Sequence, residues 1–180
     1  INTKNIIKIL KDNNFYNDID FFSLDIDGID YWVLEKLPKN LSKIFVLEFN
    51  SNFGGKKEIT IPNINNFNRT KYHYSNLYFG ASLKALIKLM KKKNYVFLGT
   101  NLHRINAFFV QKKYLKKINL KIPNSKSINR FSLSNIRESR DKKNNPSYLS
   151  GDEKINVIRN CKVVDLSSSK KKIVKLSKLI

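Results

Sequence analysis

The chain has 180 residues, 35 lysines and arginines against 14 aspartates and glutamates, a formal net charge of +21, and 41% hydrophobic and 12% aromatic residues. Twelve Phe and eight Tyr can build a core, which excludes a disordered tail, and no apolar run approaches the roughly 18 residues needed to cross a bilayer. The single cysteine, Cys161, excludes an internal disulfide framework and a multi-thiolate zinc site; with no signal-peptide pattern, a cytoplasmic protein is expected.

Thr3 as N-cap and Ile6, Ile7 and Leu10 at helical spacing predict a helix over 3–13, broken at Asn13 and Asn14. Residues 19–26 (IDFFSLDI) read as a buried strand ending in Asp25, Ile26, Asp27, Gly28, and Tyr31 to Leu34 begin a short helix that Pro38 closes. A second buried strand follows at 43–49 (KIFVLEF), with Glu48 and Asn50 at its end. Two near-continuous apolar strands joined by a helix predict an α/β fold with a parallel sheet covered on both faces. Residues 51–79, rich in Asn, read as a long loop, of a length that is usually functional or disordered, and 82–93 as an amphipathic helix. Residues 95–99 and 105–110 form a predicted antiparallel hairpin around Asn101, His103 and Arg104. After Lys117 the composition shifts to a polar, irregular stretch at 118–150, a short helix at 151–160 and a Lys/Ser-rich end from Ser167 expected to fray. The division expected is an α/β domain over 1–117 and an extension, mixed but mostly irregular or helical, over 118–180. The start at Ile1, with Met90 the sole methionine, leads us to expect a piece of a longer protein.

The charge is unevenly spread. Residues 1–60 hold 8 Lys and 9 acids, whereas residues 61–180 hold 27 Lys and Arg and 5 acids. Lys, Asn and Ile make up about two-fifths of the chain, so part of the basicity reflects a compositional bias rather than a ligand. The basic part can attract an anionic substrate, or make a non-catalytic nucleic-acid or anion-binding module. Low Arg content and the lack of interleaved aromatics disfavour the nucleic-acid reading.

In open parallel sheets ligands bind beyond the carboxyl ends of the strands, and both predicted strands end in acids. Asp25 and Asp27 share one face if the strand continues, as do Glu48 and Asn50. Asp27, Glu48 and Asn50 are candidate ligands for a hard cation such as Mg²⁺, and Asp27 or Glu48 a candidate base, because crowding raises a carboxyl pKa. The competing structural roles are turn caps for the aspartates and a loop start for Asn50. His73, in the long loop, is a further candidate base, and His103 reads as a turn residue. Tyr78 and Ser82, leading into the third helix, are candidate substrate contacts, with core packing and helix capping as the alternatives. Cys161 has no partner motif, and there is no P-loop, GxSxG or HExxH.

Taken in order, FSLDIDGIDYWVLEKL, VLEFN, LYFGASLKAL and INAFFV resemble the C-terminal half of a class I, Rossmann-like, S-adenosylmethionine-dependent methyltransferase, close to the FkbM-type group and uncharacterised bacterial relatives. The later RESRDKKNNPSYLSGDEK is similar to a tail on some of those relatives. The resemblance, over roughly 1–115 and 130–160, implies that the DIDG strand is the fourth of the sheet, VLEF the fifth and the hairpin the reversed sixth and seventh. It implies O-methylation of a sugar or other polar metabolite, with Asp25 near the cofactor and Asp27 and Glu48 at the chemistry. Asp27 stands where such members carry a longer Glu. The family's glycine-rich turn after the first strand has no counterpart among the six glycines, so the main cofactor-binding half is expected outside this chain, and the fragment alone to be inactive. A degenerate fold kept as a structural partner is the remaining alternative.

Overall fold

The computed structural model describes residues 1–180 apart from 118, 121, 125, 126, 132, 133 and 135, all of which lie within the stretch expected to be irregular. Helix α1 (Ile6–Asp12) buries Ile6 and Leu10 on one face. Strand β1 (Ile19–Leu24), helix α2 (Asp30–Lys36) and strand β2 (Ser42–Glu48) follow, with β1 and β2 parallel and Phe22 in register with Phe45. The predicted long loop holds a 3-10 turn at Ser51–Phe53, a two-residue strand β3 (Ile59–Thr60) and one helical turn, α3 (Arg69–Tyr72). Helix α4 (Leu83–Lys92) is capped by Ser82 and buries Leu83, Leu86 and Met90. The hairpin is β4 (Tyr95–Thr100) and β5 (Asn106–Gln111), its turn tied by the Asn101 side chain, which accepts from the backbone of Ile105 and Asn106. A 3-10 segment (Lys112–Lys117), α5 (Ile128–Phe131), α6 (Gly151–Ile158), β6 (Lys162–Asp165) and β7 (Lys172–Lys175) complete the chain.

The fold is α/β with a mixed sheet ordered β1-β2-β5-β4. The expected parallel pair and hairpin are present, and β5 lies between β2 and β4, antiparallel to both. Aromatic contacts pin that order: Phe45 packs on Phe22 at 5.2 Å and on Tyr95 at 5.1 Å between centroids, and Phe97 meets Phe109 at 5.6 Å. The Tyr95 hydroxyl donates to Ser42 O (2.5 Å) and accepts from Ser42 N (3.1 Å), joining the sheet's far strand to the start of β2. The Lys93 ammonium closes the end of α2 by donating to Glu35 O and Leu37 O.

Two expectations are corrected. The sheet is not covered on both faces, because β1 is its edge and Phe21, 56% exposed, stands in register with exposed Ile44. The basic end does not fray from Ser167. Lys172–Lys175 pairs with Lys162–Asp165, and β6 pairs with β3 to make a second sheet ordered β3-β6-β7. Val163, Val164, Leu166 and Leu176 are buried in the same core cluster as Leu34 and Phe45. Among the described residues no helix is long and apolar enough to cross a membrane.

Candidate functional site

Strand β1 stops at Leu24 because the next turn is organised from within. Asp30, 4% exposed, accepts from Ile26 N (2.8 Å) and Gly28 N (2.9 Å), and burial pushes its carboxyl above the usual aspartate range. Asp27 takes a left-handed φ of 54°, and a Cβ on Gly28 would lie 2.5 Å from Cδ1 of Phe67, so only glycine lets that ring approach. The extended geometry assumed for Asp25 and Asp27 therefore does not continue.

The turn nevertheless delivers both aspartates to the end of β2. Asp25, Asp27 and Glu48 each place a carboxylate oxygen within 4.8 Å of the others, the aspartates exposed and Glu48 half-buried. Burial first, then the charge of Asp25, pushes the Glu48 carboxyl up to about 8, against a smaller opposing pull from Arg69. Among the described residues its buried Oε2 has no hydrogen-bond partner. Near neutral pH Glu48 is thus largely a protonated acid beside two carboxylates.

Sequence reasoning missed Arg69. From α3 its guanidinium donates to Asp27 Oδ1 (2.6 Å), its Nε to Asn76 O (2.7 Å), and its plane lies 3.8 Å from the Phe79 ring centroid. The available signal was that it is the first of only six arginines in a chain with 29 lysines, and a planar fork suits a carboxylate better than an ammonium does. Two cavities flank the trio. One, of about 320 Å³, is lined by Ile26, Asp27, Phe67, Arg69, Asn76 and Glu138, and the other, of about 80 Å³, by Glu48, Asn52, Arg69, Glu138 and Lys154 among others. Glu138 and Lys154 come from the extension and were not singled out in the sequence.

The remaining candidates lie elsewhere. Asn50 is fully buried, its amide donating to Leu77 O and Phe79 O (2.9 Å each) while its oxygen accepts from Asn52 N (2.9 Å). Ser82 Oγ donates to Lys57 O and accepts from Ala85 N and Ile59 N. The Tyr78 hydroxyl donates to Lys162 O on β6, and burial raises its pKa. His73 pairs through Nδ1 with Ser75 Oγ (2.7 Å) and stacks on Tyr74, and burial lowers its pKa. The thiol of Cys161 is pushed up by burial, so it is a poor nucleophile.

Three carboxylates at this spacing form a hard-oxygen set of the kind that suits Mg²⁺ or Mn²⁺, with Asp25 in the place expected for Asn50. Arg69 competes for the same charge. Arg69→Met is expected to tighten Mn²⁺ binding about tenfold, the order of one screened charge a few ångströms away, in a calorimetric titration. Unchanged affinity would place any bound cation away from Asp27. Comparison with protein-family models, with curated proteins and with solved structures finds no match to this chain.

Proposed function

We propose that the chain forms the acceptor side of an S-adenosylmethionine-dependent O-methyltransferase acting on a hydroxyl of a sugar or other polar metabolite. The observation that carries this reading is Glu48: a half-buried carboxyl, raised to about 8, at the carboxyl end of a parallel strand and within 4.8 Å of two further carboxylates. Methyl transfer from a sulfonium is an in-line displacement, so the protein must hold the acceptor oxygen in line and remove its proton. A carboxylate made basic by burial and by Asp25 and Asp27 suits that proton transfer. Arg69 holds Asp27 in place and limits how far the three charges repel. His73, engaged with Ser75, takes no step.

The donor, when bound, supplies an electrophilic methyl group. The turn after β1 does not form a cradle for it, because the Ile26 and Gly28 N–H groups are spent on Asp30 and the space above Gly28 is filled by Phe67. On this reading polypeptide outside these 180 residues holds the donor, with Asp25 at its edge. The parallel pair followed by a hairpin, as the sequence resemblance implies, supports it. The test is methyl transfer to a panel of hydroxylated sugars by the product of the reading frame extended upstream. Glu48→Gln is expected to lower kcat by about a hundredfold or more, the order of a general base. Transfer that survives this change removes Glu48 from the mechanism, and no transfer to any acceptor ends the reading.

A further inference from the structure

The larger cavity beside the carboxylates, about 320 Å³, is lined by Asp27, by exposed Glu138 and by one cation, Arg69. That cation is already engaged. Its Nη1 donates to Asp27 Oδ1, its Nε to Asn76 O, and its guanidinium carbon lies over the Phe79 ring. Among the described residues Glu138 has no ion pair, and Asp25 places a carboxylate oxygen within 4.8 Å of Asp27. Glu48, protonated near neutral pH, adds no charge. The cavity therefore keeps an excess of negative charge in a chain of net charge +21.

A second observation is independent of that charge. Asn76, 8% exposed, lines the same cavity, and its buried Oδ1 has no hydrogen-bond partner among the described residues. A buried acceptor left without a donor is costly, so the cavity lacks a donor as well as a positive charge. The Asn76 carbonyl and Asp27 Oδ1 are held on one guanidinium, within about 8 Å of each other, a span that a single sugar ring covers. Phe67 supplies an apolar wall, fixed by its stack on Tyr72 at 4.7 Å and its close approach to Gly28.

We propose that this cavity binds a protonated amine, and that the acceptor is an amino sugar or similar amino polyol. Its ammonium donates to Asp27, whose side chain is 58% exposed and whose Oδ1 alone is spent on Arg69, and a ring hydroxyl supplies the donor that Asn76 lacks. This rests on the reading of the site as a methyl-acceptor site and names the acceptor's class. An anionic ligand would set its charge against Asp27 and Glu138 with no unengaged cation to receive it, and a neutral sugar would leave the excess charge unanswered. The lysines elsewhere do not decide the matter, because at physiological salt exposed charges are screened beyond about 8 Å.

The full chain, without methyl donor, is titrated calorimetrically near pH 6.5 with glucosamine, galactosamine and mannosamine, their N-acetyl forms, glucose and glucuronate. At least one amine is expected to bind about tenfold more tightly than its N-acetyl form, which keeps the ring and loses the charge, with glucuronate weakest. Asp27→Asn combined with Glu138→Gln keeps side-chain size and suits the left-handed φ at Asp27, and should abolish that preference. Glu138→Gln alone, at an exposed position, should lower it about threefold and serves where the double variant does not fold. Asn76→Gly, which keeps the φ of 60°, should weaken amine binding severalfold. N-acetyl forms binding as well as the amines, tightest binding of glucuronate, an amine preference that survives the carboxylate changes, amine binding indifferent to Asn76→Gly, or no binding of any sugar each overturns the proposal. Amine binding without methyl transfer would instead sink the methyltransferase reading alone, and methyl transfer confined to neutral sugars would sink this proposal alone.

Discussion

Between pH 5 and pH 9 the chain is expected to lose stability, and Glu48→Gln to remove most of that loss. The Glu48 carboxyl rises from 4.5 to about 8 on folding, so the folded state keeps a proton that the unfolded state gives up. Its contribution is complete below about pH 4.5, declines as the pH rises, and is gone above about 8. At 1.36 kcal/mol per pKa unit, and discounted because the group is partly solvated, the effect is on the order of 3 kcal/mol, a large share of the roughly 5–15 kcal/mol of a typical domain. Burial shifts Asp30 the same way, so it adds to the decline with rising pH. His73 works in the opposite sense. Its lowered pKa makes the folded state bind fewer protons, so its contribution is lost as the pH falls through 6.5. The difference between wild type and Glu48→Gln in the change of urea midpoint from pH 6.5 to 8 therefore isolates the Glu48 share. Equal slopes in wild type and Glu48→Gln would show that Glu48 is not buried as described.

Asn50→Ala is expected to cost about 3 kcal/mol, measured as the shift in urea unfolding at constant slope. The substitution removes both donors to the buried carbonyls of Leu77 and Phe79 and the acceptor for Asn52 N, in a place with no exposure to water. Those bonds hold the chain before α4 against the end of β2, and Asn50 N reinforces them by donating to Ala81 O (2.8 Å). A chain that stays as stable but loses sugar affinity would return Asn50 to the ligand.

What could be read beforehand divides along physical lines. Strands β1 and β2, helix α4 and the hairpin carry their own signals, namely continuous apolar runs, a 3.6-residue stripe and a polar turn, and the structure places each within a residue or two of expectation. The second sheet carries almost none. Strand β3 is two residues, β6 and β7 are four each with charged residues at their ends, and the β3–β6 pairing joins segments far apart in sequence. At the site, Asp25, Asp27 and Glu48 were legible because strand ends can be recognised. Arg69, Glu138 and Lys154 reach the same place through tertiary packing that no local pattern encodes. The polar character of Asn50, Ser82 and Tyr78 was visible, but their partners, the carbonyls of Leu77, Lys57 and Lys162, are not.

The pairing of β3 with β6 also sets an order of events. Ile59 meets Asp165 across roughly a hundred residues, and closing a flexible loop of that length costs about 4 kcal/mol of chain entropy before any contact repays it. A two-residue strand cannot meet that cost alone. The β1–β2 pair and the β4–β5 hairpin, whose partners lie close in sequence, can assemble first and offer a surface on which β6 and β7 settle. The second sheet is then the last part to form and the first to open. Helix α6, which carries Lys154 and directly precedes β6, is organised only at that final step.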